Sequence, residues 1–197
     1  FDSRINARVT AGGWSTSTGA MISTGNPHDV AVHGGWIAVQ APDGSEAFTK
    51  AGDLRVSALG QLTNGAGHPV IGEGGAPIAV PPHSSLTIGA DGTVSVIGLG
   101  QSADTGASID RIKLVNPPAV DVVKGPDGLM RMKDGSEAVG DAAVTLTSGA
   151  LVGSNVNVVD AMVSMIEIAR QYELQVRMID TADENAGVAA TVMRVSG

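Results

Sequence analysis

The chain has 197 residues, with 20 Asp and Glu against 12 Lys and Arg and a formal charge of −8, an acidic balance that repels nucleic-acid phosphates and anionic lipid. It has no cysteine, which excludes disulfides, thiolate metal sites and cysteine nucleophiles. No run of about 18 apolar residues occurs, so no membrane insertion is expected, and no basic stretch followed by an apolar one suggests a cleaved signal peptide.

Twenty-seven glycines and only 3% aromatic residues point to many turns and a core of small aliphatic side chains. Residues 1–25, with AGGWSTSTGAMISTG, read as an extended linker. Residues 26–150 read as a β-rich domain. VAVHGGWIAVQ divides into two short strands at Gly34-Gly35, and Asp43-Gly44 follows as a turn pair. In DLRVS, Leu54 and Val56 alternate with polar neighbours, the period-two mark of a half-buried strand. Further strands are expected around Val70, Ile78 and Leu86 and from Thr93, between turns at Asn64-Gly65 and Asp91-Gly92. Residues 98–108 read as a loop, IDRIKLVNPP as one alternating strand ended by Pro117-Pro118, and AVTLTSGAL as a last strand around Val144 to Leu146. Short strands at this spacing predict a mainly β fold: an antiparallel sandwich or barrel-like module.

Residues 154–197 read differently, as one long C-terminal α-helix. Asn157 is the expected N-cap, Asp160 suits the first turn, and no proline follows. The single interior glycine, Gly187, is a place for the helix to fray or end. Val159, Met162, Ile166, Ala169, Tyr172, Val176, Ile179, Ala182 and Ala186 recur at steps of three or four, the spacing of a helix seam. Met165, Ile168, Leu174 and Met178 widen the apolar surface. The simplest use of such a seam is to cover the chain's own β core. Two features weigh against it: the helix is too long for one small module, and the sequence holds no second helical segment to complete the seam. The seam therefore reads as a subunit interface.

No pattern of catalytic, metal-binding or cofactor-binding residues emerges. His28, His33, His68 and His83 form no helical pair and no HExxH motif. GxSxG is absent, the glycine-rich stretches fit neither phosphate-binding pattern, and Asp43, Asp91, Asp127 and Asp134 sit in Asp-Gly turns. Trp36 reads as a core residue rather than a ligand platform. No enzyme activity and no small-molecule substrate are expected.

Two stretches resemble the bacterial flagellar rod and hook proteins. One holds Thr24, Gly25, Asn26 and Pro27, then Gly35 and Trp36, then Phe48-Thr49-Lys50-Ala51-Gly52. The other holds Ser154, Asn155 and Asn157 of Ser-Asn-Val-Asn, followed by the Ala-Arg-x-Tyr-Glu core at Ala169 to Glu173. GHPVIGEGG at 67–75 and DTADENAG at 180–187 are most similar to the proximal-rod members. Gly35-Trp36-Ile37 departs from the Gly-Phe-Phe of distal-rod members, and residues 98–149 correspond to a variable insert.

The resemblance implies a structural subunit of the proximal rod of the flagellar basal body, in the periplasm, needed for flagellum assembly and motility. It would be exported by the flagellar type III apparatus and would transmit torque. The terminal helix would join a coiled coil in the rod core, while the β module faces outward. The partners would be other proximal and distal rod subunits and copies of the same chain. A distal-rod or hook subunit is the alternative within the family. A secreted glycan-binding module or cell-wall enzyme is the alternative outside it.

Overall fold

The structure is a computed structural model that describes residues 19–102, 105–155 and 158–195. The chain divides into two compact units, one running through Gly153 and one starting at Ser154. The first is an all-antiparallel β module, in which no sheet closes into a barrel among the described residues. The second holds a single α-helix.

The module is organised around a five-stranded sheet in the order β10 (Leu114–Val115), β3 (Trp36–Gln40), β4 (Glu46–Thr49), β12 (Met130–Met132), β11 (Val122–Lys124). Period-two alternation splits its side chains between two hydrophobic clusters. Ile37, Val39 and Ala47 enter the larger cluster with Leu54, Val70, Ile78, Leu86 and Val94. Trp36, Ala38 and Phe48 enter the smaller one with Val115, Val122 and Met130. Because β3 is covered on both faces, Trp36 to Val39 read as an unbroken apolar run before Gln40. Gly34, at φ +77°, turns the chain from β2 (Val30–His33) into β3. Gly35 must also lack a side chain, because a Cβ there would strike the Val115 carbonyl and the Val144 methyls.

Three smaller sheets complete the unit's core. The hairpin β5 (Leu54–Val56) with β6 (Leu62–Asn64), the triplet β7 (His83–Ile88), β8 (Thr93–Gly98), β9 (Ala107–Arg111), and the pair β2 with β13 (Thr145–Ser148) all contribute to the larger cluster. A fourth sheet pairs β1 (Met21–Ser23) with β14 (Ala150–Val152), so a strand lies within the stretch read as linker. Of that stretch, residues 1–18 lie outside the described residues.

Where the structure differs from the sequence reading, backbone chemistry gives the reason. Val70 and Ile78 are fully buried, but the stretches around them form isolated bridges rather than ladders. Pro69 and Pro77 precede them, and proline has no N–H to extend a ladder. IDRIKLVNPP is not one strand: β9 and β10 belong to different sheets, and the chain crosses between them at Ile112 and Lys113. AVTLTSGAL breaks at Gly149, at φ +79°. Residues 98–149 supply β9 to β13 and so are built into the sheets. Helix α1 (Val158–Val195) has 38 residues and runs straight through Gly187. At 1.5 Å per residue it is about 57 Å long.

Candidate assembly surfaces

The Thr-Gly-Asn-Pro segment lies where β1 leads into β2. Asp29 N donates to Asn26 O at 3.0 Å, closing a turn with Pro27 inside it. The Asn26 side chain works from both ends. Its Nδ2 donates to Asp29 Oδ1 at 3.0 Å, and its Oδ1 accepts from His28 N at 3.3 Å. Thr24 Oγ1 accepts from Asn26 N at 3.3 Å. Across from the segment, the Gly149 carbonyl accepts from both Thr24 N (2.9 Å) and Gly25 N (3.1 Å).

The next motif closes on the smaller cluster. Trp36 is 8% exposed, as a core residue should be, and Lys50 Nζ lies 5.7 Å from its ring centroid, within cation–π range. The two ends of the motif thus meet in space. They line a cleft of about 360 Å³ with Pro117 and Pro118. Gly52 closes the motif for a steric reason. Its carbonyl accepts from Val30 N at 2.8 Å, and a Cβ would be driven into the Val30 carbonyl.

On α1 the described apolar side chains are exposed: Met162 is 55% accessible, Ile166 57%, Tyr172 67% and Ile179 62%. Val176, at 38%, is the least exposed large one. Ala169 and Ala182 are exposed too, whereas the side chain of Ala186 and the whole of Asn157 lie outside the described residues. Ser154 and Asn155 are exposed in the connection that precedes the helix. Placed at about 100° per residue, the seam positions do not stay on one line. The apolar face of Val159 to Ala169 and that of Tyr172 to Ala182 differ by roughly 100° in azimuth. Met165, Ile168, Leu174 and Met178 are as exposed as the seam.

Several groups were not legible as a set in the sequence. Glu46 and Lys113 form an ion pair at 2.6 Å, with side chains only 6% and 9% exposed. The other Glu46 oxygen accepts from Ala138 N at 3.0 Å, tying β4 to the segment before β13. The signal was weak because the partners lie 67 residues apart. Arg131 forks onto Asp127, through Nη1 at 2.9 Å and Nη2 at 2.5 Å, and holds its carboxyl down to about 2. Leu59 (87% exposed) and Leu99 (68%) stand at loop tips beside a shallow apolar groove of about 800 Å³. That signal was readable, since leucine is unusual at a turn tip.

Among the described residues no three His, Asp or Glu side chains converge in a way that could hold a metal ion. Nor is any helix there long and apolar enough to cross a membrane. His33 is occupied otherwise, with its Nε2 3.0 Å from Thr147 Oγ1 across the β2–β13 pair.

Two family models match this architecture piece by piece. Residues 31–96 match the flagellar hook protein FlgE/F/G D1 domain, and residues 147–192 match the flagellar basal body rod FlgEFG protein C-terminal region. The chain is 44% identical to the flagellar basal-body rod protein FlgF of Escherichia coli and 42% identical to that of Salmonella typhimurium. In each case the match covers 93% of this chain and 75% of the relative. It is 33% identical to the rod protein FlgG of Buchnera aphidicola, over 85% of this chain and 66% of that one. With an antiparallel β module that holds the D1 match, a helix that holds most of the C-terminal match and this level of identity over most of two FlgF proteins, the chain belongs to the flagellar basal-body rod protein family, in its FlgF branch.

Proposed function

We propose that the chain is a structural subunit of the proximal rod of the flagellum, that it assembles through α1, and that it has no catalytic role. The observation that carries this reading is the exposed apolar surface of the helix. Each large side chain left in water forgoes about 1.5–3 kcal/mol that burial would supply. Nine such residues, Val159, Met162, Met165, Ile166, Ile168, Tyr172, Leu174, Met178 and Ile179, are more than half exposed. Helices of neighbouring subunits are the surfaces that fit.

The winding of the seam argues against a single partner. A coiled-coil partner follows a drift of only about 20° per heptad, less than the two halves of α1 require, so one helix does not follow the seam both from Val159 to Ala169 and from Tyr172 to Ala182. Other rod proteins and further copies of this chain are the proposed partners. The periplasmic position, the type III route and torque transmission follow from the family resemblance. The proximal place is favoured by the 44% and 42% identity to the FlgF proteins of Escherichia coli and Salmonella typhimurium, above the 33% to the FlgG protein of Buchnera aphidicola.

The test is Ile166→Asp together with Val176→Asp in cells relying on this chain alone. The expected result is a chain whose β module still melts normally while rods remain incomplete and cells do not swim. Swimming at the wild-type level would remove the assembly role of the helix. Formation of a distal rod in cells depleted of the chain would contradict the proximal place.

A further inference from the structure

β1 and β2 are successive stretches of one outgoing path, and β13 and β14 are stretches of the returning one. Ser23 faces Ala150, and Val30 faces Ser148. Residues 24–29 therefore stand opposite Gly149 alone, an outsized bulge of six residues against one. On one side of it every residue of β1 is exposed. On the other, Val30, Ala31 and Val32 are buried. The bulge marks the level at which a two-stranded ribbon, exposed along β1 and half-buried along β14, becomes part of a packed module. Bulges bend and twist the strand pair that carries them, and so set its direction.

A six-residue loop could leave that direction free, but this one is laced across its width. Gly149 O holds two N–H groups of the loop, from Thr24 and Gly25, and Gly149 N donates to Asp29 O at 2.8 Å. Both crossing points need left-handed backbone, which Gly25 (φ +71°) and Gly149 (φ +79°) supply. Inside the loop the Asn26 side chain is the only group that bonds both the His28 amide and the Asp29 carboxylate. Asp29, 9% exposed, is itself fixed to the module by a bridge to Asp53. The lacing thus runs from the ribbon through Asn26 to the buried sheet.

We propose that this bulge is a rigid coupling that fixes the direction in which the β1–β14 ribbon leaves the β module, with Asn26 as its positioning residue. Its use, carrying twist between the outer module and the chain that runs on into α1, rests on the rod reading. The coupling itself is a property of the folded chain.

Hydrogen exchange on the full chain tests it. In Asn26→Ala the amides of Thr24, Gly25 and Gly149 should exchange about tenfold faster, as expected when one hydrogen-bonded clasp opens locally. The amides of Ala38 and Ile71, bonded within the module, should not change. Asn26→Asp keeps the acceptor for His28 N but sets a second carboxylate against Asp29, so it should loosen the same three amides. Unchanged exchange at those amides in both variants would overturn the proposal. So would a uniform rise across the module, which would make Asn26 a general stabilising residue. In swimming cells the Asn26→Ala chain should enter the rod yet reduce swimming speed. Should the helix variants above leave swimming intact, the rod reading fails while the exchange result still decides the coupling.

Discussion

At the scale of single residues, the motif glycines and aspartates act through backbone geometry. Gly52 is held against β2 by its bond to Val30 N, and a methyl group there meets the Val30 carbonyl head-on. Gly52→Ala must push apart two segments that both border the larger cluster. The expected cost is about 3 kcal/mol or more, in the upper range for single substitutions, read as a lowered denaturation midpoint. The fork between Arg131 and Asp127 makes a prediction in pH. Asp127 is held at about 2, chiefly by hydrogen bonds from Arg131. Its pKa is lowered on folding, so its contribution is fully present above the unfolded value near 3.9 and disappears as pH falls through the folded value. Asp127→Asn should therefore melt below the wild type at neutral pH. That gap should close between about pH 4 and about pH 2.

At the scale of elements, the buried Glu46–Lys113 pair joins β4, the β9–β10 crossing and the segment carrying Ala138. Removing one partner leaves the other charged and buried, which costs about 3–5 kcal/mol, whereas replacing both by apolar groups can be nearly neutral. Glu46→Met should be strongly destabilising in denaturant titration. Glu46→Met with Lys113→Met should recover most of the loss, short of the bond to Ala138 N. The pair also shows what a sequence leaves unread. Period two made β5 legible, because Leu54 and Val56 are spaced by the pleat itself, and the breaks at Gly34-Gly35 and Asp91-Gly92 set off β3 and β8. The left-handed glycines made the turns legible for the same local reason. Contacts such as Glu46 with Lys113, or Gly149 with Thr24, depend on strands brought together from distant parts of the chain, and no local period encodes them. The break at Gly149 is hidden because apolar alternation runs across it, whereas the step of three from Ile109 to Ile112 does mark the crossing from β9 to β10; in both places the strands on either side pair with different partners. On the helix, the spacing of three and four identified the apolar positions. The same spacing, placed at about 100° per residue, shows that they wind, although each single step is compatible with a straight seam.

At the scale of the whole molecule, the two units answer to different sources of stability. The β module has its own buried core, with Phe48, Ile37, Leu62 and Ile112 at most 1% exposed. Its cohesion does not depend on concentration. Helix α1 has large apolar residues exposed along its described length, and helices draw most of their stability from packing of such surfaces rather than from propensity. Anything that covers α1 without binding its unfolded form stabilises it by mass action. Raising the concentration of the full chain should therefore strengthen its far-ultraviolet helical signal and increase its sedimentation coefficient together. The melting of the β module, followed through Trp36, should stay constant. Ile166→Asp with Val176→Asp should suppress both concentration effects and leave that melting curve in place. If the helical signal and the sedimentation coefficient of the unaltered chain were both independent of concentration, copies of this chain would not cover α1. The rod reading would then require a different protein on that surface.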